Sequence, residues 1–593
     1  MAFRQSGQAR VPSYIHMMDR IFLFPLLSFV SLFLHAQARI DPELIEAWIL
    51  QEQAEVLIVM KEQPQISFAQ SLTSKEARGQ YVYAMATQLA EDSQAQLRDH
   101  LQDRDIAHHP YSIVNAIWAN LTAAEAELIA TFPGVARLDP NPWIRQDLGW
   151  SSSTIGQSRS AVEWGIERIG STALWAEGIR GAGVVVGGQD TGYDWDHPAL
   201  ISQYRGNLGD TVMHDYHWHD AIRELNPMNN GGSNPCGLDS AVPCDDHNHG
   251  THTMGTMIGD DGEGNQIGVA PEASWMACRN MERGYGSPAS YIECFEFFLA
   301  PTRVDGSEPD PNMAPDVIAN SWSCPEIEGC NPGNFELMET AINNLRASGV
   351  VVVTSAGNSG PNCETVSTPP SIFAGAFAVG ATASNDSIAG FSSRGPVGLD
   401  GSGRLQPQVV APGVAVRSSI RDGQYASFQG TSMAGPHVAG AAALLISARP
   451  GLAGQVEQIE EILSASARPL FSSQDCAGFP GNESPNAVYG HGLIDLEQAL
   501  TEADIVLSTS EATDKAIDVS VFPNPTSDQL NILSDGEDIL SVELYDLLGQ
   551  RLLTIRGERR TILTIHLKDL PSGSYLASVQ TSAGYASRLF NKQ

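Results

Sequence analysis

The stretch Val184-Val-Val-Gly-Gly-Gln-Asp190-Thr-Gly192 sets the reading of the whole chain. A β-branched apolar run stops at an acid, and Thr-Gly follows at once. Such a run reads as a short buried strand bounded by a turn. Similar runs recur at Val317–Ala319, Val350–Thr354 and Ala376–Val379, with helical patterns at Phe335–Ala347 and Pro436–Ser447. Buried strands alternating with helices predict an α/β unit, a doubly wound parallel sheet covered on both faces, over residues 164–500. Ligands of such sheets bind beyond the carboxyl ends of the strands, where Asp190 stands. Asp-x-Gly at a strand end is also an ordinary turn, so other segments must decide its role.

Two segments of the same unit carry chemistry that a carboxylate could complete. In His249-Gly-Thr-His-Thr-Met-Gly-Thr256, small residues after His249 let a helix start close against a neighbour. A histidine there can exchange protons near neutral pH. The same stretch admits a metal centre built from His247, His249 and His252 with Asp245 and Asp246. In Gly430-Thr-Ser432-Met-Ala-Gly-Pro436-His-Val-Ala-Gly440, Ser432 falls at the start of a helix, with Pro436 expected in its first turn. A serine there is commonly a cap, but a cap does not require the small residues at 430, 434, 435, 439 and 440. The helix N-terminus favours developing negative charge. Serine alone is a poor nucleophile. It needs a base, and the base needs an orienting carboxylate. Asp190, His249 and Ser432 supply the three types. Val350-Val-Val-Val-Thr-Ser-Ala-Gly-Asn358-Ser-Gly360 adds an amide, Asn358, that a turn can aim at an oxyanion.

The rest of the chain places this unit among others. Its 593 residues suggest three or four domains. Lys plus Arg number 34 and Asp plus Glu 69, so the formal charge is −35, which disfavours nucleic acid and anionic lipid as partners. Arg4, Arg10 and Arg20 precede an apolar run from Ile21 to Leu34, with Ala36 and Ala38 after it. That pattern predicts a signal peptide over residues 1–38, with Met17 or Met18 as an alternative start; the run is too short to span a bilayer. No later stretch is apolar and long enough to do so. A small α+β unit follows over residues 54–140. It comprises strands at Glu55–Met60, Ser112–Ala119 and Val135–Leu138 and helices near 74–103 and 122–131, the second opened by a Thr122/Glu125 capping box. Residues 501–518 read as an acidic linker. From 519 to 593, alternating runs such as Leu530-Asn-Ile532 and Tyr575-Leu-Ala-Ser-Val579 predict a small β-sandwich. All eight cysteines lie between Cys236 and Cys476. Export predicts disulfides. Spacing favours Cys236–Cys244 and Cys324–Cys330, and the other four could pair as Cys278–Cys294 and Cys363–Cys476.

The order Asp, His, Ser with these surroundings resembles the subtilisin-like serine proteases. The likeness rests on Asp190-Thr-Gly192, His249-Gly-Thr-His252, Ala356-Gly-Asn-Ser-Gly360 and Gly430-Thr-Ser-Met-Ala-Gly-Pro-His-Val-Ala-Gly440. It implies a secreted serine endopeptidase working through an acyl-enzyme on protein or peptide substrates. It gives Asp190, His249 and Ser432 the catalytic roles and Asn358 the oxyanion. It places Ser321, Trp322, Ser323, Ser355, Ala356 and Gly357 along the substrate. No cofactor is required for the chemistry and no metal residues are assigned, although structural calcium is common in such proteins. Residues 54–140 resemble the inhibitory prosegment of a zymogen, processed between Pro140 and Trp164. The tail resembles a type A C-terminal sorting domain of type IX secretion, through Val521-Phe-Pro-Asn-Pro-Thr526 and Arg588-Leu-Phe-Asn-Lys592. That implies the secretion machinery as a partner and a destination beyond the inner and outer membranes. One departure stands out: Gly187-Gly188-Gln189 replaces the apolar residues usual before the catalytic acid. It leaves room for a silent adhesin on the same fold as an alternative, beside the metallohydrolase that His247, His249 and His252 would form.

Overall fold

The computed structural model describes residues 38–593, except 73, 147–149, 157–160, 230–232, 325–334, 512–518, 535–536, 548, 569 and 583. The expected signal peptide, up to residue 37, lies outside the described residues.

The core of the middle unit is a seven-stranded sheet. Its strands are β1 (Val185–Asp190), β2 (Trp218–Asp220), β3 (Ser274–Arg279), β4 (Val317–Asn320), β5 (Val351–Ser355), β6 (Phe377–Thr382) and β7 (Val409–Pro412). They lie in the order β2-β3-β1-β4-β5-β6-β7 and every pairing is parallel. The order reverses direction at β1, so a crevice opens between the carboxyl ends of β1 and β4, the place where such sheets bind ligands. The strands are buried on both faces, as their near-continuous apolar sequences require.

Four helices matter for the site: α1 (His249–Ile258), α2 (Pro288–Leu299), α3 (Phe335–Ala347) and α4 (Thr431–Ala448). α3 is amphipathic and buries Leu337, Met338, Ala341, Ile342 and Leu345. α4 is buried from Thr431 to Ile446 and carries small residues because its neighbours approach closely. A Cβ at Gly440 would lie 2.6 Å from the Val269 side chain. The helix begins at Thr431, five residues before the apolar pattern suggested. Pro436 therefore sits in the second turn, a correction whose consequence for the site appears below.

The amino-terminal unit holds a five-stranded sheet in the spatial order Arg39–Ile40, Val135–Pro140, Ala54–Met60, Ala116–Leu121 and His108–Tyr111. It is larger than expected, since Arg39–Ile40 and the helix Pro42–Leu50 belong to it. The expected strand Ser112–Ala119 is split, because a turn at 112–115 separates two antiparallel strands. The Thr122/Glu125 capping box forms with both of its hydrogen bonds. Residues 501–511, expected as linker, are instead part of the helix Leu496–Glu511, whose Ala499 and Ala503 enter the main core. From Val519 onward, strands form a three-stranded and a four-stranded antiparallel sheet around Leu530, Ile532, Val542, Leu544 and Phe590. Disulfides join Cys236–Cys244, Cys278–Cys294 and Cys363–Cys476. Cys324 is also disulfide-bonded, and its expected partner Cys330 lies outside the described residues.

Candidate active site

β1 ends on Asp190 and α1 begins on His249, and the two side chains meet. His249 Nδ1 lies 2.7 Å from one carboxylate oxygen of Asp190 and 2.9 Å from the other. Both residues are buried. The chain reaches this geometry through two glycines. Gly192 has φ +103°, and a Cβ there would lie 1.8 Å from the Cys244 carbonyl oxygen. A Cβ at Gly250 would lie 2.1 Å from the Gly192 carbonyl oxygen. The small residues after His249 are thus what bring the start of α1 against the end of β1.

Asp245, behind this pair, braces it. Its Oδ1 accepts from Thr191 Oγ1 at 2.9 Å, from the His247 N–H at 2.8 Å and from the Asn248 N–H at 2.9 Å. Its Oδ2 accepts from the Thr251 N–H at 3.1 Å and hydroxyl at 2.6 Å. A carboxylate so placed satisfies N–H groups at the start of α1 that the helix itself leaves open. Arg279, at the end of β3, bridges Asp220 at 3.0 Å and Asp246 at 2.8 Å, all three side chains being buried. Burial nevertheless raises the Asp246 carboxyl to about 6.

These contacts dissolve the histidine cluster read from the sequence as a metal centre. Asp245 and Asp246 are committed to the helix start and to Arg279. His252 Nε2 faces the carbonyls of Val416 at 3.0 Å and Ala426 at 3.2 Å, so it carries the proton. The His252 ring stacks on Phe428 with centroids 4.3 Å apart, and burial holds it neutral, down to about 3. Among the described residues no group of three or more His, Cys, Asp or Glu side chains could hold a metal ion.

Ser432 is the second residue of α4, which packs against α1. Pro436 has no N–H to give to the carbonyl four residues back, and that carbonyl belongs to Ser432. Ser321, just past the end of β4, fills the gap. Its hydroxyl donates to the Ser432 carbonyl at 3.2 Å, while the Ser432 hydroxyl donates to the Ser321 carbonyl at 3.3 Å. His249 Nε2 is buried and makes no hydrogen bond. The structure therefore joins Asp190 to His249 directly and turns the Ser432 hydroxyl toward Ser321.

Asn358 follows β5. Its Oδ1 accepts from the Thr431 N–H at 2.9 Å and hydroxyl at 3.0 Å, beside Ser432. With the oxygen fixed there, the amide's orientation is set. The Thr431 hydroxyl also accepts from the Gly357 N–H at 3.2 Å. Ser355 and Ala356 are buried at the end of β5, and Ser355 Oγ has no hydrogen-bond partner. Trp322 is buried and stacks on Tyr291 of α2, with centroids 3.9 Å apart and planes 10° from parallel.

The unusual Gly187-Gly188-Gln189 has a packing explanation. A Cβ at Gly188 would lie 2.5 Å from the Tyr193 hydroxyl, and one at Gly187 2.8 Å from Ile318 Cγ2. Gln189 is buried in an amide network with Asn320 and Asn280, and Asn320 Nδ2 reaches the Val353 carbonyl at 3.1 Å. The departure leaves the Asp190–His249 pair intact.

The amino-terminal unit reaches into the cleft. Its strand Ile144–Arg145 pairs antiparallel with Tyr285–Gly286. The Gln146 N–H donates to the Gly284 carbonyl at 2.9 Å, and the Ser323 N–H donates to Gln146 Oε1 at 2.7 Å. Beyond residues 147–149, Trp150–Gly156 pairs antiparallel with Gln424–Gln429, Trp150 opposite Gln429. Gln146 thus lies against Gly284 and Ser323, and Trp150 against Gln429, three residues before Ser432.

Comparison with known proteins now bears on this geometry. The subtilase family model matches residues 181–492. The chain belongs to the subtilase family. Members of this family are serine endopeptidases, and its α/β fold is the one described above. The chain is 36% identical over 419 residues to Bacillopeptidase F of Bacillus subtilis (strain 168), covering 68% of this chain and 27% of that protein. It is 27% identical over 433 residues to subtilisin E of the same organism, covering 73% of this chain and 93% of that protein. It is 29% identical over 392 residues to an alkaline protease of Shouchella clausii, covering 66% and 80%. The chain thus spans little more than a quarter of Bacillopeptidase F. A secretion system C-terminal sorting domain matches residues 520–590, and with it the type IX reading of the tail stands. The chain is addressed for export, to the cell surface or the exterior. Among the described residues no helix is long and apolar enough to cross a membrane.

Sequence reasoning missed Asp245, Arg279 and Tyr291 as parts of the site. Asp245 had a signal, an acid just before the helix start, but it was read as a metal ligand. The Ser321–Ser432 exchange was also legible, because a proline four residues after a helical serine frees that serine's carbonyl.

Proposed function

We propose that this chain is an exported zymogen whose processed form hydrolyses peptide bonds through an acyl-enzyme on Ser432. The observation that carries the reading is the His249 imidazole. Its Nδ1 is held by Asp190 at 2.7 Å while its Nε2 is left without a hydrogen bond, on a helix packed against the one that carries Ser432. When substrate enters, the Ser432 hydroxyl leaves the Ser321 carbonyl and attacks the scissile carbonyl. Its proton passes to His249 Nε2, and Asp190 stabilises the imidazolium. The oxyanion is met by Asn358 and by the Ser432 N–H at the start of α4. The imidazolium then protonates the leaving amine, the C–N bond breaks, and an ester to Ser432 remains. Water attacks the ester, gives its proton to His249, and the serine is regenerated as the acid product leaves.

The amino-terminal unit is the inhibitory prosegment in this reading. Ile144–Gln146 occupy the groove as a substrate would, and Trp150 pairs opposite Gln429, three residues before Ser432. Self-cleavage falls in the stretch between Gln146 and Trp150. Polar contacts hold the prosegment against α2 and the start of β4: Ser112 donates from its N–H and hydroxyl to Glu296 at 2.9 Å each, and Lys75 pairs with Asp316 at 2.6 Å. Protein substrates, this prosegment and the secretion machinery acting on the tail are the partners. Casein hydrolysis by the processed wild type beside Ser432→Ala tests the reading. Activity confined to the wild type is expected, and equal activity in both would reject it.

A further inference from the structure

Gln146 is buried although it is polar, long and part of a segment that must leave. Both ends of its carboxamide are satisfied. Oε1 accepts from the Ser323 N–H at 2.7 Å, and Nε2 donates to the Tyr291 hydroxyl at 2.7 Å. The Tyr291 ring is buried and fixed by its stack on Trp322, so the hydroxyl is presented rather than found. Gly286 makes room for it, since a Cβ there would lie 2.5 Å from that hydroxyl oxygen. Gly286 is also the residue that pairs with Ile144, so the gap lies in the edge strand that the groove peptide follows. Ser323 lies two residues beyond Ser321, whose carbonyl takes the Ser432 hydroxyl.

We propose that Ser323 and Tyr291 form a substrate subsite selective for a carboxamide side chain, so that the processed enzyme prefers glutamine at the position Gln146 occupies. This deepens the peptidase reading and rests on it. Gln146 is bonded to Gly284 and Ser323, and Trp150, four residues on, pairs with Gln429 three residues before Ser432, so we assign the subsite to the amino-terminal side of the cleaved bond, within four residues of it. Glutamine fits both partners at once. Methionine fills the same length but can neither accept from the Ser323 N–H nor donate to the Tyr291 hydroxyl, so it forfeits both hydrogen bonds that glutamine makes.

The test is cleavage of a proteome-derived peptide library by the processed enzyme, followed by kcat/KM for a matched pair of peptides with Gln or Met at the enriched position. We expect glutamine to be enriched at one fixed position among the four before the cut, and the Gln peptide to be favoured by about tenfold. In Tyr291→Phe the Gln/Met ratio should fall to about two, with the ratio rather than the absolute rate as the readout. Ready cleavage with no glutamine enrichment overturns the subsite and leaves the peptidase reading standing. Enrichment that survives unchanged in Tyr291→Phe also overturns it. No cleavage by the wild type overturns both.

Discussion

Two helices start at the cleft, and they start differently. α1 opens on His249, whose side chain is already bonded to Asp190, while Asp245 takes up the N–H groups of residues 247, 248 and 251. α4 opens on Thr431 and Ser432, whose partners are a neighbouring carbonyl and the oxygen of Asn358. The first half is closed and buried, and substrate has nothing to displace there. The second half is held by bonds that a substrate can replace. Under the proposed function, the contrast separates what the fold fixes in advance, the orientation of the base, from what is exchanged during turnover.

The largest test of this contrast removes the exchangeable hydroxyl. Ser432→Ala should lower kcat by about 10⁶-fold, the scale known for the nucleophile of a subtilisin, with the melting temperature nearly unchanged. Next comes the fixed half. Arg279→Met strands the buried carboxylates of Asp220 and Asp246, which should cost about 3–5 kcal/mol of stability by denaturant unfolding. If Arg279→Met left stability alone but abolished activity, the two halves would not divide as described. Asn358→Ala should lower kcat by about 10²–10³-fold and move KM little. A loss confined to KM would make Asn358 a binding residue.

The smallest effect concerns release of the amino-terminal unit, read under the proposed function as a prosegment. Its Glu55 hydrogen-bonds to Glu224 of the catalytic unit, which raises the Glu224 carboxyl to about 8. A carboxyl raised in the complex favours binding while it holds its proton. Prosegment affinity should therefore be greatest in acid, fall as pH rises, and lose this contribution above about pH 8. Inhibition constants for the prosegment against processed enzyme from pH 6 to 9 would show the trend, and Glu224→Gln should flatten it. The half-exposed site limits the change to several-fold.

Much of this arrangement was legible before any coordinates. The apolar runs at Val184–Val186, Val317–Ala319 and Val350–Thr354 announce strands, which in the structure end on Asp190, Asn320 and Ser355. The small residues after His249 announce that its helix starts close against a neighbour. What stayed hidden depends on partners distant in sequence. Asp245 is an acid near three histidines, and only the fold shows that it spends its oxygens on backbone N–H groups. The helix Leu496–Glu511 was read as linker from Thr501 because its sequence is acidic, yet Ala499 and Ala503 tie it to the core. Tyr291 lies on a helix with no catalytic signature, and its hydroxyl matters only because Gly286, Trp322 and Gln146 surround it.

Labelling of the processed protein with a fluorophosphonate, read by mass spectrometry of the modified peptide, tests the central claim most directly. The label should sit on Ser432 in the wild type and disappear in His249→Ala while the protein stays folded. Labelling of Ser432 that is indifferent to His249, or labelling elsewhere, would contradict it.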